Sequence, residues 1–228
     1  MTTSPSAFDD ETYRAGVVEL LGALAYGEIS ACERIVDDAR MAPDLRTRVE
    51  IAMMAASEFD HFIKFRDSLV SLGVDPFSAM EPFTGTFESF HRRTAPSDYL
   101  EGLVKMYVGD GLAADFYSEI AAFLDAQTRE LIVETMSGTS HSEFVVTEVR
   151  KAIDANPKVA GRLALWGRRL MGEALSQAQG LVAQRDALTS VMVGGVNTPG
   201  LDLMAIGRMF TRVTEAHTER MAALGLEA

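Results

Sequence analysis

Apolar residues recur at helical spacing along almost the whole of this chain, and no stretch of useful length alternates as a strand does. Such a chain can bury its apolar stripes only by packing helix on helix. A first helical pattern runs from Asp10 to Met41, with Val17, Leu21, Leu24, Cys32 and Ile35 on one stripe, and stops before Pro43. A second runs from Asp44 to Leu72 and closes at Gly73. Asp75-Pro76 opens a Phe-rich stretch through Phe90, predicted as a helical excursion inside a connection from Gly73 to Asp98. Ser97 or Asp98 caps a third helix reaching Leu124, and Asp125 caps a fourth reaching Ala155. Asn156-Pro157 restarts the chain into a fifth helix that ends near Val193, with a break expected near Gly180. Gly194 to Gly200 reads as a loop, and a last helix runs from Leu201 to Leu224. The pattern predicts an all-α four-helix bundle with two additional C-terminal helices and a long connection between helices 2 and 3.

At 228 residues the chain fits one domain over 1–228, with residues 1–9 as a flexible flank. The 33 acidic and 21 basic residues leave a net charge of −12, which opposes a broad phosphate-binding surface. A local basic patch is compatible with that charge; Lys158, Arg162, Arg168 and Arg169 cluster on the fifth helix, where pairing with acids elsewhere is the plainer expectation. The one cysteine, Cys32, has no internal partner for a disulfide, a usage that suits a reducing cytoplasm. Residues 1–10 lack the basic and apolar regions of a signal peptide, and no uninterrupted apolar run approaches membrane-spanning length. The expected setting is soluble and cytoplasmic, with no membrane partner.

Glu58-Phe59-Asp60-His61 lies inside the second helical pattern. Residues three apart are separated by about 60° around a helix, so Glu58 and His61 reach toward one point. Ile51, Met54, Phe62, Phe65, Leu69 and Leu72 lie one and two turns away, which places the pair against the core. A buried carboxylate needs compensation, and a metal ion or a hydrogen bond to the neighbouring imidazole would each provide it. On the first helix Glu28 interrupts the stripe of Leu21, Leu24, Ala31, Cys32 and Ile35, whereas Glu33 reads as a boundary residue. On the third, Asp110 sits among Leu103, Met106, Tyr107, Ala113, Ala114 and Tyr117, whereas Asp115 suits a surface. A ligand role and a hydrogen-bonded structural role are both open for Asp110. The fourth helix offers His141, but the position three residues earlier is Gly138. Glu134 is about 10 Å from His141 along the axis, and Glu143 projects from another face.

Small residues surround His141, from Ser137 to Ser140, and are compatible with a cavity beside a site or with close packing and a kink. Trp166 reads as a core anchor, Glu173 as a partner of Arg169, Glu215 to Glu219 with His217 as a surface helix, and His91 as a loop residue without a role.

Leu24-Ala25-Tyr26-Gly27-Glu28, Glu58-Phe59-Asp60-His61, Tyr107-Val108-Gly109-Asp110-Gly111 and His141-Ser142-Glu143-Phe144 carry a resemblance extending from Tyr13 to Leu224. In these segments the chain resembles the ferritin-like superfamily and, within it, the MiaE-like group, named after the enzyme that hydroxylates the isopentenyl chain of a hypermodified tRNA adenosine. The resemblance implies a di-iron centre held by Glu28, Glu58, His61, Asp110 and His141, with manganese as the other metal such ligands accept. It departs from the family in having Asp at 110 and Gly138 where a sixth ligand would stand. It implies O2-dependent C–H hydroxylation, with electrons from an external ferredoxin or flavin reductase, since the chain carries no nucleotide fingerprint. It also makes tRNA a partner to consider, against the net charge, and leaves room for a homodimer. The alternative is a metal-free or metal-poor ferritin-like scaffold that acts as a binding protein.

Overall fold

The computed structural model describes residues 7–137, 142–193 and 203–228, and its described secondary structure is entirely helical. Helix α1 (Glu11–Asp38) packs along α2 (Leu45–Ser71), and the two form the most extensive helix pair. Asp10 caps α1 and Asp44 caps α2 through side-chain acceptance of first-turn N–H groups. Gly73 ends α2 with φ +70°, a left-handed conformation that glycine adopts without a Cβ penalty. The connection folds into α3 (Pro76–Met80) and α4 (Thr84–Arg93), which lie on α1, as the Phe-rich stretch predicts.

Helix α5 (Tyr99–Ala121) starts at Asp98, whose carboxylate accepts the Glu101 N–H at 3.0 Å. Glu101 reaches back to the Ser97 N–H at 2.8 Å, completing a reciprocal cap. Arg162 binds Asp98 at 2.6 Å and also pairs with Glu101, so this part of the basic cluster is neutralised within the fold. Trp166 is buried and donates its indole N–H to the Glu101 carbonyl at 2.9 Å, an anchor as expected.

Several boundaries differ from the sequence expectation. The fourth helix is not continuous: α6 (Ala126–Met136) ends at Ser137, and α7 (Ser142–Ala155) follows residues 138–141. The fifth pattern divides into α8 (Lys158–Gln184) and α9 (Asp186–Val193) at Arg185 rather than at Gly180. Arg185 turns the chain by binding Glu19 at 3.4 Å and the Pro82 carbonyl at 3.1 Å. The expected loop at 194–200 lies outside the described residues, and α10 (Leu203–Ala223) is the last helix. Glu173 pairs with Arg93 at 3.6 Å, not with Arg169, which instead donates to the Arg93 carbonyl.

Glu11–Met41 is long and apolar enough to cross a membrane by composition, with a mean hydropathy of 1.3 in its most apolar window. Its apolar face packs instead against α2, α3 and α9, because α1 is the central core helix.

Helices α1 and α9 approach closely at Gly16. A Cβ there would meet the Ala187 carbonyl oxygen at 2.5 Å, as well as the Val191 side chain. Gly16→Ala therefore destabilises the fold by about 1–3 kcal/mol through overpacking, although helix propensity alone would favour alanine by about 1 kcal/mol. Urea unfolding of the two proteins reads the sign; a stabilised variant would mean that α9 yields freely.

Two apolar clusters make up the interior. One gathers Ile51, Met54, Leu103, Val108, Leu163 and Leu170 with their neighbours, the other Val17, Leu21, Phe62, Phe65, Ile120 and Ile132 with theirs. The clusters divide α1, α2 and α5 lengthwise, and Glu28, Glu58, His61 and Asp110 fall near the seam between them.

Candidate metal centre

Glu28 and Glu58 are 7% and 8% exposed, and His61 is half-buried beside them. The helical stripes of α1 and α2 explain the placement: each acid replaces an apolar residue on the face that its helix turns to the core. His61 Nδ1 lies 3.2 Å from Glu28 Oε2 and 4.0 Å from Glu58 Oε2. One ligand atom from each of Glu28, Glu58 and His61 falls within 4.8 Å of the other two. That spacing allows all three to meet one cation.

The electrostatics show what the cluster lacks. Burial pushes the Glu28 carboxyl up to about 7, opposed by a hydrogen bond with Glu58 and reinforced by the charge of Asp110. Burial and then the Glu28 charge push Glu58 up to about 9. Asp110 is pushed well above the usual carboxylate range, first by burial and then by Glu58, with His61 opposing. Its residual accessible surface belongs to a cavity wall. Neither Glu28 nor Glu58 forms an ion pair with Lys or Arg among the described residues. Three carboxyl groups and one imidazole thus lie together on a poorly solvated wall with no Lys or Arg paired to them among the described residues, a donor set that suits iron or manganese.

Of the five residues singled out from sequence, the fold brings Glu28, Glu58 and His61 together and sets Asp110 within their electrostatic reach. Asp110 is not within the 4.8 Å group. His141 and Gly138 lie outside the described residues, while Met136 and Ser142, on either side of that segment, line the same cavity. Glu134 and Glu143 are exposed, so neither completes the buried cluster. Glu33 is exposed beside Arg34 at 3.8 Å, as a boundary residue should be.

The cavity is about 540 Å³ and lies between α1, α2, α4, α5 and α8. Its walls beyond the acids are largely apolar, with Leu20, Leu24, Met54, Phe87, Ile120 and Leu181 among them. Tyr117 lines it close enough to Glu28 that burial and the Glu28 charge hold its hydroxyl protonated well above the usual range.

Three placements depart from the sequence reading. Asp115 is half-buried on the cavity wall and pairs with Arg220 at 2.6 Å. His217 is 3% exposed rather than on a surface, and neither ring nitrogen has a hydrogen-bond partner among the described residues. His91 is half-buried on the cavity wall, with Nε2 3.2 Å from Ser30 Oγ. The missed signal was tertiary for each: α10 covers α5, and α4 folds back over α1.

A family profile described as a ferritin-like domain of actinomycetes matches residues 11–195. The chain belongs to this family. Among solved structures it is similar to a Synechococcus protein with aldehyde deformylating oxidase activity, at a TM-score of 0.72 and 21% identity. The match covers 97% of this chain and 94% of that one, and it shows a shared fold. No curated protein sequence matches. The ferritin-like architecture expected from the sequence is therefore established, with family membership at that level.

Proposed function

We propose that this ferritin-like chain is a non-haem di-iron oxygenase that oxidises an apolar substrate group inside the cavity. The observation that carries the reading is the convergence of Glu28, Glu58 and His61 within 4.8 Å on the wall of an apolar cavity that Asp110 also lines, within their electrostatic reach. Glu28, Glu58, His61 and Asp110 would hold the metal, and His141 would join them from the segment between Met136 and Ser142. Bound ferrous iron would supply electrons to dioxygen and so oxidise a substrate carbon held nearby.

The chain's own residues set the conditions. Leu20, Leu24, Met54 and Ile120 exclude water and orient an apolar group. Tyr117, on the cavity wall, keeps its proton through burial and the charge of Glu28, and so remains able to donate a hydrogen bond there. Electrons would come from an external ferredoxin or flavin reductase. The finer reading, hydroxylation of MiaE type, rests on the sequence resemblance: an isopentenyl group suits these walls, whereas a net charge of −12 gives tRNA little to bind. The Synechococcus likeness supports the same class of oxygen chemistry at the level of the fold.

A metal-free binding scaffold is the second reading, favoured by the hydrogen bonds that Glu28 makes with His61 and Glu58. Elemental analysis after anaerobic ferrous loading and desalting separates the two. Close to two irons per chain supports the oxygenase; no retained iron supports the scaffold and ends the oxygenase reading.

A further inference from the structure

The cavity has a second polar end. Along α1 its wall continues from Glu28 through Ala31 to Arg34 and Asp38. The six steps from Glu28 to Arg34 span about 9 Å of helix axis. Helix α5 brings Lys105 to this end, and α4 brings His91.

Lys105 is 7% exposed and forms neither a hydrogen bond nor an ion pair among the described residues. Its ammonium sits 5.9 Å from the centroid of the Phe90 ring. A buried ammonium without an anion is costly, and a cation–π contact offsets only part of that cost. Burial pushes Lys105 down to about 8 despite the favourable charge of Asp38. Asp38 itself is pushed up to about 6 by burial and forms no ion pair with Lys105. Arg34 has only loose exposed partners, Glu33 at 3.8 Å and Asp37 at 4.0 Å. His91 Nδ1 is buried without a hydrogen-bond partner among the described residues. Two cationic groups against the single carboxylate of Asp38, and a ring nitrogen without a hydrogen-bond partner among the described residues, thus line one end of a cavity whose opposite arm, past Glu28, is walled by Leu20, Ile120 and Leu188.

We propose that the cavity binds a single-chain amphiphile with a carboxylate head, the head on Lys105 and Arg34 beside His91, and the tail running past Glu28, Glu58 and His61 toward Leu20 and Ile120. As a statement about substrate this rests on the oxygenase reading, which it sharpens. The atoms presented to the acidic cluster are mid-chain carbons, and the head stays about 9 Å away along α1.

Titration calorimetry with dodecanoate and 1-dodecanol tests the assignment on metal-free protein. The wild-type chain should prefer dodecanoate by at least about tenfold, the scale on which a desolvated charge contact discriminates. Lys105→Met should erase that preference while retaining dodecanol binding, and Lys105→Arg should keep it. Arg34→Met, at the exposed mouth, should lower it and serves as the readout if Lys105→Met does not fold. Equal wild-type affinities, or a preference that survives both methionine variants, overturn the proposal. Iron-loaded protein should bind dodecanoate within about threefold of the metal-free value; a tenfold tightening would put the head on the metal and overturn the placement. Iron content, measured separately, decides the oxygenase reading without entering the preference for the head.

Discussion

Alanine at both Glu58 and His61 abolishes iron retention and with it the thermal stabilisation that iron gives the wild-type chain. The two residues supply two of the three ligand positions that meet within 4.8 Å, and both project from one turn of α2. Loss of a supporting hydrogen bond around a metal typically costs ten- to about a hundredfold in affinity, so losing two direct ligands should exceed that. A metal bound only by the native state at a hundred times its dissociation constant adds about 2.7 kcal/mol. For a chain of this size that corresponds to a rise in Tm of about 5–10 °C. Differential scanning calorimetry with and without ferrous iron should show the rise for the wild type and none for the double variant. Circular dichroism of both metal-free proteins controls for folding, since Phe62 and Phe65 on the same helix still bury. A double variant that keeps its iron would place the metal elsewhere and sink the assignment of this cluster.

The helices and their starts were legible because their signals are local. Asp98, Asp125 and Asn156 each accept an N–H of the first turn that follows, as their positions in the sequence suggest. Glu28, Glu58 and His61 were legible for a related reason: a polar residue that interrupts an apolar stripe must lie inside, and few chemistries tolerate that. What stayed hidden depended on which helix covers which. Glu215 to Glu219 looks like a surface helix in isolation, yet α10 lies on α5 and buries His217. Lys105 is buried although its helical neighbours in the sequence, Glu101, Gly102, Val108 and Gly109, do not mark an apolar stripe. Its lack of a partner was hidden as well, because Glu101, one turn earlier on the same helix, is drawn away by Arg162 of α8, and Asp38 approaches only through tertiary packing. The cavity itself has no sequence signature; it follows from how α4 and α8 lean over α1 and α5.

The metal-free protein should lose stability as pH rises from 6.5 to 8. Glu28 and Glu58, ordinarily near 4.5, are raised by burial to about 7 and about 9. Above 4.5 the unfolded chain has released protons that the native state still holds, so the stability they carry is lost as pH climbs through the folded values. Other groups oppose this outside the window. His91, lowered to about 3, and His217, also lowered, favour the native state increasingly up to about 6.5. Lys105, lowered to about 8, does so above that value. Between pH 6.5 and 8 the acidic cluster dominates, and each proton retained across the window is worth about 2 kcal/mol. Urea unfolding at the two pH values should show that drop, and Glu58→Gln should shrink it by removing the more strongly raised group. Iron should flatten the profile, because ligands held ionised by a cation no longer retain their protons. A stability that rises over this range would mean that Glu28 and Glu58 are ionised in the native fold without metal.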